Sequence, residues 1–192
     1  MNGILITNDS IMKKLRILLF SILISFNSYG QELNSLFGVN LYENAEKYVS
    51  SNYINSNTFK NQETIGGYFD LIMTDKIKTK SPYASYYEFI IDKDNIVHRI
   101  YGSMAFVNLD ICQAVQKQLT SKFEEKYQVE FEYFDKTYPQ FKIYRNYFNS
   151  DSGSNVSIQC REWNSTKEVK MQIMNSSREV LKKINEFYDA GL

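Results

Sequence analysis

His98 is the only histidine in the chain, so any Ser-His-Asp or Cys-His mechanism would have to use it. In the segment IVHRIYGSMAF, the alternation of side chains predicts a strand with Ile96, His98 and Ile100 on one face. A histidine between two apolar neighbours is typical of a partly buried residue that makes one hydrogen bond. We therefore expect His98 to be structural, and we predict no catalytic residue and no enzyme activity.

The acidic residues form no recognisable metal or glycosidase site. The turn that starts at Asp92 begins like a calcium loop, but apolar residues stand where the fifth ligand and the glycine are required. Two carboxylate pairs, Glu124 with Glu125 and Glu130 with Glu132, could in principle flank a glycosidic bond. Periodicity places both pairs on solvated faces of their elements. The sequence therefore predicts no bound metal and no cofactor.

The chain has two cysteines, Cys112 and Cys160, and both are predicted to point inward. Cys112 lies on the apolar stripe of a helix in LDICQAVQKQLTSKFEEKY, and Cys160 lies on the apolar face of a strand in SNVSIQC. In an oxidising compartment such an isolated pair forms a disulfide, which is our prediction. Two buried free thiols and a reactive cysteine are the alternatives, and the second lacks a Cys-x-x-Cys spacing.

Aromatic and basic residues give the strongest hint of a binding surface. Tyrosine suits recognition because it offers contact area with little loss of entropy and has a polar tip. The alternative is purely structural, since aromatic residues also favour strands. The predicted surface consists of Lys76, Lys78, Lys80, Tyr83, Tyr86, Tyr87 and Tyr144.

The segment from Met12 to Gly30, MKKLRILLFSILISFNSYG, has the organisation of an export signal. A basic start at residues 13–16 precedes an apolar run at residues 17–26 that is too short to span a bilayer. We predict cleavage after Gly30, with Met12 as an alternative translation start; an uncut N-terminal anchor is the alternative. Residues 1–30 would then be an extension with a cleavable signal, and residues 31–192 a single exported domain without an integral membrane segment.

Charge and composition narrow the classes of partner. Without residues 1–30 the chain has nineteen basic and twenty-one acidic residues, a net charge of −2. Such a balance lacks the positive field that nucleic-acid binding needs. The abundance of Asn, Lys, Ile, Tyr and Phe is typical of AT-rich coding DNA, so we expect a periplasmic or secreted protein of a low-GC Gram-negative bacterium. Its expected partner is another exported or envelope protein, and the sequence does not predict an oligomeric state.

The hydrophobic pattern predicts the order helix, three strands, helix, four strands, helix. Hairpin-length links between consecutive strands require antiparallel pairing. We therefore expect an α+β fold, with a mainly antiparallel sheet of six to seven strands and two or three helices packed on one face.

Three functions remain open at this stage. The leading hypothesis is a non-catalytic binding domain, such as an inhibitor or immunity-type partner. The alternatives are an envelope hydrolase of cell-wall or glycan material, with His98 or scattered carboxylates as acid and base, and a structural or assembly component of the envelope.

Overall fold

The computed structural model describes residues 34–58, 66–74, 76–77, 80–151 and 153–189, which belong to one compact unit, Glu32–Leu192. The predicted signal and Lys78 lie outside these residues. In the described part of the chain, no helix is long and apolar enough to cross a membrane. The described strands are β1 (Ser35–Leu36), β2 (Val39–Asn40), β3 (Tyr68–Ile72), β4 (Tyr86–Asp92), β5 (Val97–Phe106), β6 (Glu132–Thr137), β7 (Phe141–Asn149), β8 (Asn155–Trp163) and β9 (Val169–Ser176). The described helices are α1 (Ser51–Asn57), α2 (Leu109–Tyr127), α3 (Arg178–Asp189) and a 3-10 turn, Ala45–Lys47.

Strands β3 to β9 form one antiparallel sheet in the order β3-β4-β5-β9-β8-β7-β6, and β1 pairs with β2 in a separate hairpin. The predicted α+β class and the mainly antiparallel sheet are confirmed. Strands β3, β4 and β5 follow one another, α2 then carries the chain to the far edge, and β6 to β9 return until β9 pairs with β5. Residues far apart in sequence thereby become neighbours at the centre of the sheet.

Helix α2 covers one face of the sheet, which we call the helix face. Asn108 caps it, because its Oδ1 accepts a hydrogen bond from the Ile111 N–H at 2.9 Å. The predicted disulfide is confirmed: Cys112 of α2 is bonded to Cys160 of β8, with a Cα–Cα distance of 6.0 Å, and neither residue is exposed. One turn further on, the Gln116 amide donates to Ile158 O at 2.8 Å, so α2 is held on β8 by covalent and polar contacts.

Along each strand, every second side chain points away from α2, and these side chains form the opposite face of the sheet, which we call the polar face. Leu181 and Ile184 of α3 line a cleft over this polar face, so α3 does not share the face that α2 covers. The link between β9 and α3 explains the difference from the predicted one-sided packing. Ser177 directly follows β9, and its N–H donates to His98 O at 2.7 Å, which turns the chain toward the polar face.

A β-bulge changes which residues of β5 point into the core, compared with the prediction. Ile90 pairs with Arg99, but the next residue of β4, Ile91, pairs with Val97, so His98 is an extra residue. Val97, not Ile96, therefore joins Ile100 in the core, and both are fully buried. The bulge takes His98 out of the regular alternation that the sequence predicted.

The N-terminal hairpin closes the other end of the helix face. Phe37 has a positive φ of 55°, and its ring meets Tyr87 edge-on with centroids 4.9 Å apart. The same ring fills the space above Gly102 of β5. The absence of a side chain at position 102 thus allows the hairpin to approach the sheet closely.

Candidate functional site

A chain of hydrogen bonds runs along the polar face from β7 to β5. Arg145 Nε donates to Gln159 Oε1 at 2.9 Å, Gln159 Nε2 donates to Gln172 Oε1, and Gln172 Nε2 donates to the Tyr101 hydroxyl at 2.8 Å. Gln159 and Gln172 are 1% and 7% exposed. Because each buried amide has both a donor and an acceptor partner in this chain, its orientation is fixed. The Arg145 guanidinium is therefore held by a rigid polar support.

Aromatic rings position the cations near β6 and β7. The Arg161 guanidinium lies 4.5 Å from the centroid of the Phe141 ring, and the Lys136 ammonium lies 4.8 Å from that of Tyr138. Such cation–π contacts orient a charged side chain without neutralising its charge. Several aromatic residues of this region thus hold cations in place, a role that their sequence pattern alone does not indicate.

These cations line a cleft with a volume of about 850 Å³, which we call the basic cleft. Its size falls in the range of roughly 300–1,000 Å³ that is usual for ligand sites. Four lining residues are cationic, and none of the described lining residues is Asp or Glu. Leu181 and Ile184 of α3 form its apolar wall. The cationic lining residues are Arg99, Lys136, Arg145 and Arg161.

The opposite end of the polar face is acidic. Burial raises the pKa of Glu88 above its ordinary value, and the neighbouring carboxylate of Asp70 acts in the same direction. The Tyr86 hydroxyl donates to Glu88 Oε2 at 2.6 Å, and burial together with this bond raises the pKa of Tyr86. The positive charge of Arg99 acts in the opposite direction on the pKa of Glu88 and lowers it. The polar face is therefore polarised, with acidic groups at β3 and β4 and, apart from Glu132 of β6, basic groups from β5 to β8.

The structure does not bring the predicted surface tyrosines together. Tyr87 is 1% exposed and lies in the core, where its hydroxyl donates to Ala84 O at 2.9 Å. Tyr144 is half-buried on the helix face, whereas Tyr86 is half-buried on the polar face. These three tyrosines therefore lie in the core and on opposite faces of the sheet, and their role in binding stays a prediction.

The remaining predicted surface residues lie near the N-terminal elements and α2. Lys76 is exposed, and its ammonium lies 5.4 Å from the centroid of the Tyr53 ring. Tyr83 is half-buried and contacts the ammonium of Lys122, while Lys80 is exposed. None of them lines the basic cleft as described, so a role for these residues in binding stays a prediction.

His98 lies between two polar partners. Its Nε2 is 3.1 Å from Asp92 Oδ2, and its Nδ1 is 3.2 Å from Ser177 Oγ. Ser177 has no exposed surface, and its Oγ also accepts a hydrogen bond from the Val180 N–H at the start of α3. Tyr68 packs edge-on against the His98 ring at 5.0 Å. The serine therefore resembles a helix cap more than an accessible nucleophile.

Sequence reasoning missed the residues of the basic cleft, although a signal was present. The alternation in NVSIQCREW that places Cys160 in the core also places Gln159 and Arg161 on the opposite face. The same holds for Gln172 in KMQI and Arg145 in KIYRNYF. Long polar side chains on three adjacent strands indicate a polar network, but the adjacency of β7, β8 and β9 has to be known first.

The described residues contain no group of three or more His, Cys, Asp or Glu side chains placed to hold a metal ion. Comparisons with protein-family models, with curated proteins and with solved structures gave no match.

Proposed function

We propose that this protein is a non-catalytic binding domain, exported from the cell, that recognises an acidic segment of another exported or envelope protein in the basic cleft. The observation that carries the proposal is the gathering of four cations around one cavity in a chain whose formal net charge is zero. Arg145 is supported by buried glutamines and Arg161 by an aromatic ring. Supported guanidinium groups favour carboxylate ligands because little freedom is lost on binding.

Trp163 provides the assay. It is the only tryptophan, it pairs with Phe141 across β7 and β8, and its ring lies 5.6 Å from the Arg161 guanidinium. A blocked decapeptide of glutamate is titrated into the mature domain while tryptophan fluorescence is recorded, and calorimetry gives an independent Kd. We expect saturable binding that weakens as salt rises from 0.05 to 0.5 M, and no binding of the corresponding glutamine peptide.

A double substitution, Lys136→Gln with Arg161→Gln, tests the site. Each lost charge-assisted hydrogen bond costs about 1.5–3 kcal/mol, so the Kd should rise at least tenfold. The matched control is Lys182→Gln with Lys183→Gln, which removes the same charge from α3, where both side chains are at least 49% exposed. Equal binding of the glutamate and glutamine peptides, or an equal effect of both double variants, would contradict the proposal.

An envelope hydrolase is the second candidate, because the hydrogen-bonded chain of Asp92, His98 and Ser177 has the residue types of a catalytic triad. The burial of Ser177 and its contact with the first turn of α3 argue against it. A fluorophosphonate that reacts with activated serines tests this candidate directly. Labelling of Ser177, lost in His98→Ala, would favour the hydrolase, and an unlabelled native protein would exclude a serine nucleophile.

A further inference from the structure

We propose that the acidic partner binds by adding an extended strand to the outer edge of β6. This inference rests on the proposed function, because β6 borders the basic cleft and contributes Lys136 to it. It goes further by naming the backbone groups that the partner contacts and the conformation in which the partner is bound. Addition of a strand to an exposed sheet edge is a recurring mode of peptide recognition.

Strand β6 is an unusually exposed edge. All six of its residues, Glu132–Thr137, are exposed, and among the described strands only β7 pairs with it. The exposed residues include two aromatic ones, Tyr133 at 61% and Phe134 at 38%. Proteins usually protect edge strands, because unpaired backbone groups next to apolar side chains attract other chains. An edge with two exposed aromatic residues therefore fits a site of association.

The antiparallel ladder shows which backbone groups point outward. In the hairpin after β6, the Tyr138 N–H donates to Phe141 O at 2.8 Å, so it points toward β7. Because N–H groups alternate in direction along a strand, those of Tyr133, Asp135 and Thr137 point away from β7. An added strand would bond to these three residues.

The other edge of the sheet, β3, is partly covered by neighbouring residues. Thr58 forms an isolated antiparallel bridge with Leu71 of β3, and the Tyr53 hydroxyl donates to Ile72 O at 3.0 Å. Residues around α1 thus occupy part of the outer side of β3. The contrast indicates that the exposure of β6 is specific to the end of the sheet that carries the basic cleft.

Charge identifies the occupant as an acidic segment. Phe134 and Lys136 lie on the polar face of β6, and the Arg145 guanidinium lies 5.9 Å from the centroid of the Phe134 ring. A side chain of an added strand on this face would therefore meet an aromatic ring and two cations. On this face a second copy of β6 would present Glu132, Phe134 and Lys136, which have no net charge, so it would match the cations of the basic cleft less well than an acidic segment.

The probe is a blocked nine-residue peptide that alternates glutamate with threonine, added to isotope-labelled mature domain. Solvent exchange of backbone amides is followed by NMR. We expect the peptide to protect the amides of Tyr133, Asp135 and Thr137 at least tenfold. Concentration-dependent protection of these amides without peptide would instead show pairing between two copies and overturn the choice of occupant.

Two isomers of the peptide control for its composition, one N-methylated at the glutamates and one at the threonines. An added strand uses the N–H groups of alternate residues, so only one isomer should lose binding. Loss with methylated threonines indicates an antiparallel strand, and loss with methylated glutamates indicates a parallel one. Equal affinities of the two isomers would overturn strand addition.

On the protein, Asp135→Pro removes one outward N–H and leaves the pairing with β7 intact, since proline is tolerated on the open side of an edge strand. Asp135→Ala is the matched control that removes only the carboxylate. We expect at least a tenfold weaker Kd for the proline variant alone. If binding depends on the cations of the basic cleft but is unchanged in Asp135→Pro, strand addition is overturned and the proposed function stands. If no glutamate peptide binds at all, strand addition and the proposed function are both overturned.

Discussion

Loss of the Cys112–Cys160 bond is expected to lower the free energy of unfolding by about 4 kcal/mol. The bond closes a loop with a sequence separation of 48 residues. Chain-entropy arithmetic for a loop of this length gives about 4 kcal/mol at 25 °C. For a domain of this size, such a loss corresponds to a decrease in Tm of roughly 8–16 °C.

Urea unfolding, followed by Trp163 fluorescence and far-UV circular dichroism, measures this loss for the oxidised and the chemically reduced protein. The double variant Cys112→Ala with Cys160→Ala should lose more than the reduced protein, because both sulfur atoms are fully buried and the variant also removes their packing. Comparison of the three species separates the covalent constraint from the packing. An oxidised–reduced difference below about 1 kcal/mol would refute the assumption that the reduced, unfolded chain explores the loop freely.

Three further predictions concern stability. Gly102→Ala should lower the free energy of unfolding by urea by about 1–3 kcal/mol, because the added Cβ would lie 2.6 Å from the Phe37 ring. Gly66→Ala is the control and should lower it much less, because nothing lies within 4 Å of its added Cβ. Equal losses in the two variants would contradict the close approach of Phe37 to Gly102. Hydrogen bonds from Lys47 and Tyr48 lower the pKa of Glu43 from 4.5 to about 2. Glu43→Gln should therefore be less stable than the native protein above pH 4.5, and the difference in free energy of unfolding should disappear as the pH falls toward 2. A difference in stability that does not change with pH would contradict this prediction. Burial raises the pKa of Glu88, so the ionised carboxylate opposes folding. Glu88→Gln should therefore raise the free energy of unfolding at pH 8, and this gain should disappear below pH 4.5. A variant that is less stable than the native protein at pH 8 would refute the prediction.

Local patterns predicted the elements whose apolar residues lie on a single face. Helix α2 repeats its apolar residues with helical spacing, and β8 alternates apolar and polar residues from Val156 to Arg161, so the inward direction of Cys112 and Cys160 followed from each segment alone. The disulfide needed only the further condition of an oxidising environment. These predictions succeeded because each depended on one element and one environment.

Predictions that needed long-range information failed or were not made. The alternation in VEFEYF does not indicate that β6 begins only at Glu132, or that Phe131 before it packs against Phe123 of α2. The bulge at His98 has no local sequence signal, because it depends on the pairing of β4 with β5. The basic cleft likewise depends on the return of β9 to pair with β5, which no single segment encodes.

The surroundings of His98 connect β5 to the first turn of α3, next to the basic cleft. The His98 carbonyl accepts the Ser177 N–H at 2.7 Å, and its ring contacts Ser177 Oγ on one side and Asp92 on the other. Ser177 in turn accepts the Leu181 N–H through its carbonyl and the Val180 N–H through its hydroxyl. All of these contacts fix the first turn of α3, whose next residues form the apolar wall of the basic cleft. These contacts anchor the wall at Ser177, which His98 contacts through both its backbone carbonyl and its ring.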